Sequence, residues 1–159
     1  MTASDIDQKA YLTALRLLAG RDYTVSAITK KLMLRGYEQQ VVETAVSRLK
    51  QDGFLNDLRY AERFVESARN SGRYVGYRLR QELRRRGIET DLIDTFLAGE
   101  QDPDEEVASA RNLMERRYSG FDQVDASDQT RKRIAGFLQR RGFSSATIWK
   151  LLSRRTCVE

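Results

Sequence analysis

The sequence has no histidine and, among its 159 residues, a single cysteine and a single proline. Without histidine there is no Ser-His-Asp or Cys-His nucleophile pair and no His-ligated zinc. The lone Cys157 excludes an internal disulfide and any cysteine-held zinc or iron–sulfur site, and it reads as a bystander. No P-loop, glycine-rich phosphate cradle or metal-ligand spacing occurs. The chain is therefore expected not to be an enzyme and to need no cofactor or metal. Long apolar runs are missing too, since no window approaches the roughly 20 apolar residues of a membrane helix. Met1–Gln8 holds Asp5 and Asp7 but no basic stretch followed by an apolar one, so no targeting signal is read there. A cytoplasmic, monomeric chain without membrane contact is the expectation.

What remains is a helical pattern. Hydrophobic residues make up 40% of the chain and charged ones 32%, enough for a modest core and against a disordered chain. Apolar residues recur at three- and four-residue spacing, and period-two alternation of β-branched residues is absent. Ala10, Ala14, Leu17 and Leu18 line one face, Ile28 and Leu32 a second, and Val42, Ala45, Val46 and Leu49 a third. The fold class is all-α.

The sequence also repeats itself. Arg-Gly-hydrophobic occurs at Arg35-Gly36-Tyr37, Arg86-Gly87-Ile88 and Arg141-Gly142-Phe143, the glycines 51 and 55 residues apart. Leu32, Leu83 and Leu138 stand four residues before each glycine, and Ile28, Leu79 and Ile134 eight before. A glycine at C′ closes a helix in the left-handed conformation, and the hydrophobic residue after it packs back on the last turn. Thr24 and Thr130, twelve residues before their glycines, are expected N-caps, while Val75 holds that place in the middle copy. A further helix precedes each pair: Asp7 to Ala19, Asp57 to Asn70, and Asp104 to Tyr118 entered by Pro103. The expected architecture is three tandem three-helix, helix-turn-helix-like repeats, 1–53, 54–99 and 100–159, in an elongated, curved array. Gly99 to Pro103 is the expected flexible joint.

Charge is banded along the chain. Residues 73–86 carry six arginines against Glu82, and 129–155 carry eight bases and no acid. Between them, 100–128 carries nine acids and three bases. With 22 arginines to 6 lysines, forked contacts to phosphates or carboxylates are favoured. The basic bands read either as a surface for an anionic polymer or acidic partner, or as solvated helix faces. Arg78 and Arg85 share a face with Glu82, so solvated intrahelical pairing accounts for part of the first band. The acidic band either contacts a basic patch or screens the third repeat internally.

Helix-turn-helix geometry raises sequence-specific DNA reading by a transcription regulator as an alternative. The third helices open Glu38-Gln39-Gln40, Glu89-Thr90-Asp91 and Ser144-Ser145-Ala146, however. Acids at two of these starts would repel phosphates, which argues against major-groove docking. A scaffold that binds an acidic protein and no nucleic acid is a further alternative.

At the first junction stands Leu49-x-x-x-Gly53-Phe54-Leu55-Asn56-Asp57-x-Arg59-Tyr60-Ala61, then Arg63-Phe64-Val65. Downstream comes Gly76-x-x-Leu79-x-x-Glu82-Leu83-x-x-x-Gly87-Ile88. With Ala14-Leu15-x-Leu17-Leu18, these elements closely resemble the RecX family, regulatory proteins of bacterial RecA recombinase, from about Ala10 to Leu152. One departure is Ala27 where the family commonly has a glutamate, which leaves the capping box with Thr24 incomplete. From the residues themselves, Gly53, Phe54, Leu55, Asn56 and Asp57 form a structural joint. Phe54 and Leu55 are expected to wedge the first two repeats together, and Asn56 or Asp57 to cap the next helix. The resemblance implies a negative modulator that lies along or caps the RecA–DNA filament and hinders its growth, ATP hydrolysis and strand exchange. The residues expected to touch filament or DNA phosphates are Arg73, Arg78, Arg80, Arg84, Arg85, Arg131, Lys132, Arg133, Arg140 and Arg141.

Overall fold

The computed structural model describes residues 3–98, 102–121 and 126–153. Among them are nine α-helices and no strand. They run α1 Ala3–Gly20, α2 Val25–Met33, α3 Gln39–Gln51, α4 Asp57–Ser71, α5 Gly76–Arg85, α6 Thr90–Leu97, α7 Pro103–Arg117, α8 Asp128–Arg141 and α9 Ser145–Leu152. Consecutive triplets are the three repeats. Cys157, Arg154, Arg155 and residues 99–101 of the expected joint lie outside the described residues.

The repeated glycine turn does what its residues dictate. Tyr37 N–H donates to the Leu32 carbonyl at 3.4 Å, Ile88 N–H to Leu83 at 3.2 Å and Phe143 N–H to Leu138 at 3.3 Å. The glycine N–H groups reach the carbonyls of Met33, Arg84 and Gln139. This double bond pattern satisfies two orphan carbonyls at each helix end, and it needs a left-handed residue between them. The three glycines supply it, with φ of 84°, 80° and 104°.

Helix starts follow their caps. Thr24 accepts from Ala27 N–H at 3.2 Å, the half of the capping box that Ala27 leaves intact. Asn56 accepts from Arg59 N–H at 3.0 Å and so caps α4. The expectation for Thr130 is corrected. Ser127 is the N-cap of α8, and Thr130, three residues on, donates its N–H to the Ser127 hydroxyl. Asp128 suits the positive helix end, and α8 starts most of a turn earlier, relative to its glycine, than α2 and α5 do.

The chain divides into two compact units, Met1–Phe64 with Leu83–Ile93, and Val65–Glu82 with Asp94–Glu159. In the first, α1 packs on α3 and α2 around Ala10, Ala14, Ile28, Leu32, Val42 and Leu49. In the second, α9 packs on α7 and α8 around Ala110, Leu113, Ile134, Phe137, Leu138 and Phe143. The middle repeat contributes to both units and buries Ala61, Val65, Leu79, Leu83, Ile88, Ile93 and Leu97.

Candidate functional site

Successive repeats meet at one recurring contact. An arginine at the end of a capped helix leaves its carbonyl unused by the helix, and the neighbouring repeat takes it. In the first unit, the buried Thr24 hydroxyl donates to the Arg86 carbonyl at 2.6 Å. In the second, Val75 N–H donates to the Arg141 carbonyl at 2.9 Å. Thr24 and Val75 hold the same place in their repeats, and so do Arg86 and Arg141. The glycine that follows lies against the start of the neighbour's helix in both. A Cβ on Gly87 would stand 2.3 Å from Ser26 Cβ, and one on Gly142 would stand 2.2 Å from the Val75 carbonyl oxygen.

The Gly53–Asp57 segment supplies a second tie within the first unit. Gly53 adopts φ 76° at the end of α3, and Leu55 is buried in the first core. Asp57 Oδ1 accepts from Val25 N–H at 2.8 Å, holding the start of α2 from α4. Burial raises the Asp57 carboxyl above its ordinary range, and the bond from Val25 and the charge of Lys50 offset that only in part. Phe54 does not act as a wedge. It stays 49% exposed, because the left-handed Gly53 turns the chain so that Leu55 takes the inward position.

The arginines of 73–86 fall into two groups. Arg78 lies 3.3 Å from Glu82, and Arg80 is ion-paired with Asp94. Glu82 is only 4% exposed, so this is not the solvated pairing expected from the sequence. A buried carboxylate needs a partner, and Arg78 provides it. Arg86 lies 4.2 Å over the Phe64 ring. Arg73, Arg84 and Arg85 are exposed, with Arg73 5.4 Å from the Tyr74 ring.

Folding brings Arg85 and Arg86 to a group that sequence reading missed. They line a cleft of about 460 Å³ together with Arg21, Lys30, Lys31 and Tyr23. Arg21 and Lys31 stand 4.5 and 5.4 Å from the centre of the Tyr23 ring. Five bases against Asp22 leave the cleft strongly positive, and Arg63 already engages Asp22 at 2.8 Å. Lys30-Lys31 in the last turn of α2 was the available sequence signal, but its meaning depends on residues more than fifty positions away.

In the third repeat the bases are likewise divided. Arg131 donates to the Leu152 carbonyl at 2.5 Å and to the Ala126 carbonyl at 3.2 Å, clamping the end of α9 to the start of α8. Arg141 reaches the Gly72 carbonyl at 3.3 Å and lies 5.0 Å over Phe137. Lys132, Arg133 and Arg140 are exposed. Arg133 and Arg140 are seven residues apart and so share one face of α8.

Part of the acidic band is spent inside this repeat. Glu106 accepts from Ser144 N–H and Oγ at 2.7 Å and from Thr147 Oγ1 at 2.6 Å, holding the start of α9. Burial pushes its carboxyl up, but the bonds from Thr147 and Ser144 outweigh that and hold it below the usual glutamate range. Asp104 pairs with Lys150 at 3.0 Å. Among the described residues there is no cluster of three metal-ligating side chains, and no helix is long and apolar enough to cross a membrane.

Family models described as the first, second and third three-helix domains of RecX match residues 10–49, 56–97 and 104–152. The chain is similar to the regulatory protein RecX of Trichlorobacter lovleyi, with 47% identity across 97% of this chain and 100% of that one. The RecX of Syntrophotalea carbinolica is 32% identical across 91% and 94% of the two chains. In fold it is similar to a crystal structure of regulatory protein RecX, with a TM-score of 0.74, 26% identity and coverage of 93% and 73%. RecX from Lactobacillus salivarius has the same fold, with a TM-score of 0.71, 22% identity and coverage of 94% and 96%. All three repeats are thus matched in order, and the likeness runs through sequence as well as fold: the chain belongs to the RecX family, whose named relatives are regulatory proteins.

Proposed function

We propose that the protein is a negative modulator of RecA recombinase. It binds the RecA–DNA filament, in its groove or at its end, and inhibits filament growth, ATP hydrolysis and strand exchange. Through these it regulates recombinational repair and the SOS response. It acts as a cytoplasmic, non-enzymatic monomer with repeats at 1–53, 54–99 and 100–159. The observation that carries this reading is family membership along all three repeats.

The geometry supports a division of labour among the bases. Exposed Arg73, Arg84, Arg85, Lys132, Arg133 and Arg140 contact phosphates or acidic groups of the filament. Arg78, Arg80, Arg131 and Arg141 add to the positive field, while their guanidinium groups hold the fold. The cleft bases Arg21, Lys30 and Lys31 extend the first group.

A recombinase ATPase assay on single-stranded DNA tests this reading. The protein, titrated below stoichiometry, should suppress hydrolysis. Reversing Arg84, Arg85, Lys132 and Arg140 to glutamate should weaken filament binding at least tenfold. It should also flatten the salt dependence by about one unit of slope for each lost phosphate contact. No inhibition at any ratio would sink the reading, and an unchanged salt slope would remove these residues from the contact.

A further inference from the structure

Among its described residues, the third repeat exposes one large apolar side chain that the filament reading leaves unused. Trp149, the chain's one tryptophan, stands on α9 with 73% of its surface open. Such a large apolar group is usually drawn into a core or an interface. The indole borders an apolar trough of about 380 Å³, formed with Ala135, Ile148 and Leu152 between α8 and α9. Exposed Lys132 and the clamped Arg131 lie along the trough. Residues 128–153 carry six bases against the single acid Asp128, so the surroundings are positive.

We propose that this face holds single-stranded nucleic acid, one unpaired base stacking on the Trp149 indole and the adjoining phosphates lying along Lys132 and Arg131. The proposal deepens the recombinase reading, on which it rests for its setting, by naming the strand that the third repeat engages. An exposed aromatic beside cations is how sequence-tolerant strand binding is built, because every base has a flat face to stack. The charge balance suits a polyanion. An amphipathic helix fits the face less well, because its apolar stripe needs an apolar groove along its length, whereas Arg131 and Lys132 border this trough. Among the described residues of α8 and α9, Trp149 is the one large apolar side chain left exposed. A duplex keeps its bases stacked on one another and offers the indole no free face.

Emission from the single tryptophan gives a direct readout. The full chain is titrated with an oligothymidylate of about 20 nucleotides, longer than one strand-binding module covers. Expected results are quenching of Trp149, little change with a duplex of equal length, and reversal by salt. By anisotropy of a labelled oligonucleotide, Trp149→Ala should bind about 5- to 150-fold more weakly, the range for losing one stacked base. Trp149→Phe should recover most of that loss, which also controls for folding. Binding without any change in emission, or full affinity in Trp149→Ala, would overturn the proposal. So would stronger quenching by a peptide alternating glutamate and leucine. The recombinase assay separates the two readings. Inhibition without quenching overturns the stacking site alone, and quenching without inhibition overturns the recombinase reading alone.

Discussion

The contact between the first and second repeats and that between the second and third use the same geometry with different chemistry. The first relies on a buried side-chain hydroxyl, Thr24, which reaches the Arg86 carbonyl. The second has Val75 in that place, and the backbone N–H reaches the Arg141 carbonyl instead. The two differ in support as well. Asp57 additionally ties the first from α4, whereas the second presses the following glycine on a backbone carbonyl. A repeat junction is thus set by where an orphan carbonyl falls, and the residue that satisfies it can change type. A search for a recurring hydroxyl finds the first contact and misses the second.

The largest expected effect breaks the second contact. Gly142 has φ 104°, and a Cβ there would stand 2.2 Å from the Val75 carbonyl oxygen and 2.6 Å from Arg78 Cβ. Left-handed strain of about 1–2 kcal/mol adds to overpacking of about 1–3 kcal/mol. Gly142→Ala should therefore lose about 2–5 kcal/mol in urea unfolding, where it unfolds cooperatively at all. Gly36, with φ 84°, has nothing within 4 Å of a built Cβ. Gly36→Ala should lose only the strain, about 1–2 kcal/mol. Equal losses at the two positions would show that the turn alone, and not the contact between repeats, makes Gly142 necessary.

This contrast marks where the sequence could be read and where it could not. The helices, their order and the three capped turns follow from local spacing, because a helix end and its glycine are neighbours along the chain. That Asn56 or Asp57 would cap α4 was legible for the same reason, and the structure gives the role to Asn56. Phe54 and Leu55 were both apolar and adjacent, and only the turn at Gly53 decides which one enters the core. The basic bands were visible as composition. The shared face offered Arg78 to Glu82, but composition does not show that Glu82 is buried, or that Arg80 answers Asp94 while Arg84 faces outward. The cleft that joins Arg21 and Lys31 to Arg85 was illegible, because its walls come from distant segments.

A smaller effect tests the hydroxyl itself. Thr24 is 1% exposed, and its Oγ1 donates to Arg86 and accepts from Ala27 N–H. Thr24→Val keeps the shape and removes both bonds, leaving a buried carbonyl and a helix N–H unanswered. A loss of about 2 kcal/mol is expected from the cap and the unsatisfied carbonyl together. Thr24→Ser should retain most of the stability. If Thr24→Val were neutral, the first contact would be shown to rest on Asp57 and packing, closer to its Val75 counterpart than the bond lengths imply.

The smallest effect concerns the carboxylates that hold the starts of α2 and α9, and here the sign of the pH dependence is the measurement. Asp57 has a carboxyl raised by burial, so at neutral pH its ionisation costs stability. That cost is relieved as pH falls through its folded value toward the ordinary aspartate range. Asp57→Asn keeps an acceptor for Val25 N–H without a charge to desolvate, so stability at pH 7 should change by less than about 1 kcal/mol. On acidification the native protein should gain relative to this variant. Glu106 is held below its usual range by hydrogen bonds from Thr147 and Ser144 that outweigh its burial. Its contribution is present above the ordinary glutamate value and is lost as pH falls through the folded one, so the native protein should lose relative to Glu106→Gln. Chemical denaturation of the three proteins between about pH 3 and pH 7 compares the slopes, that window spanning the ordinary carboxylate range. Slopes of the same sign would mean that the two helix starts are held in electrostatically equivalent ways.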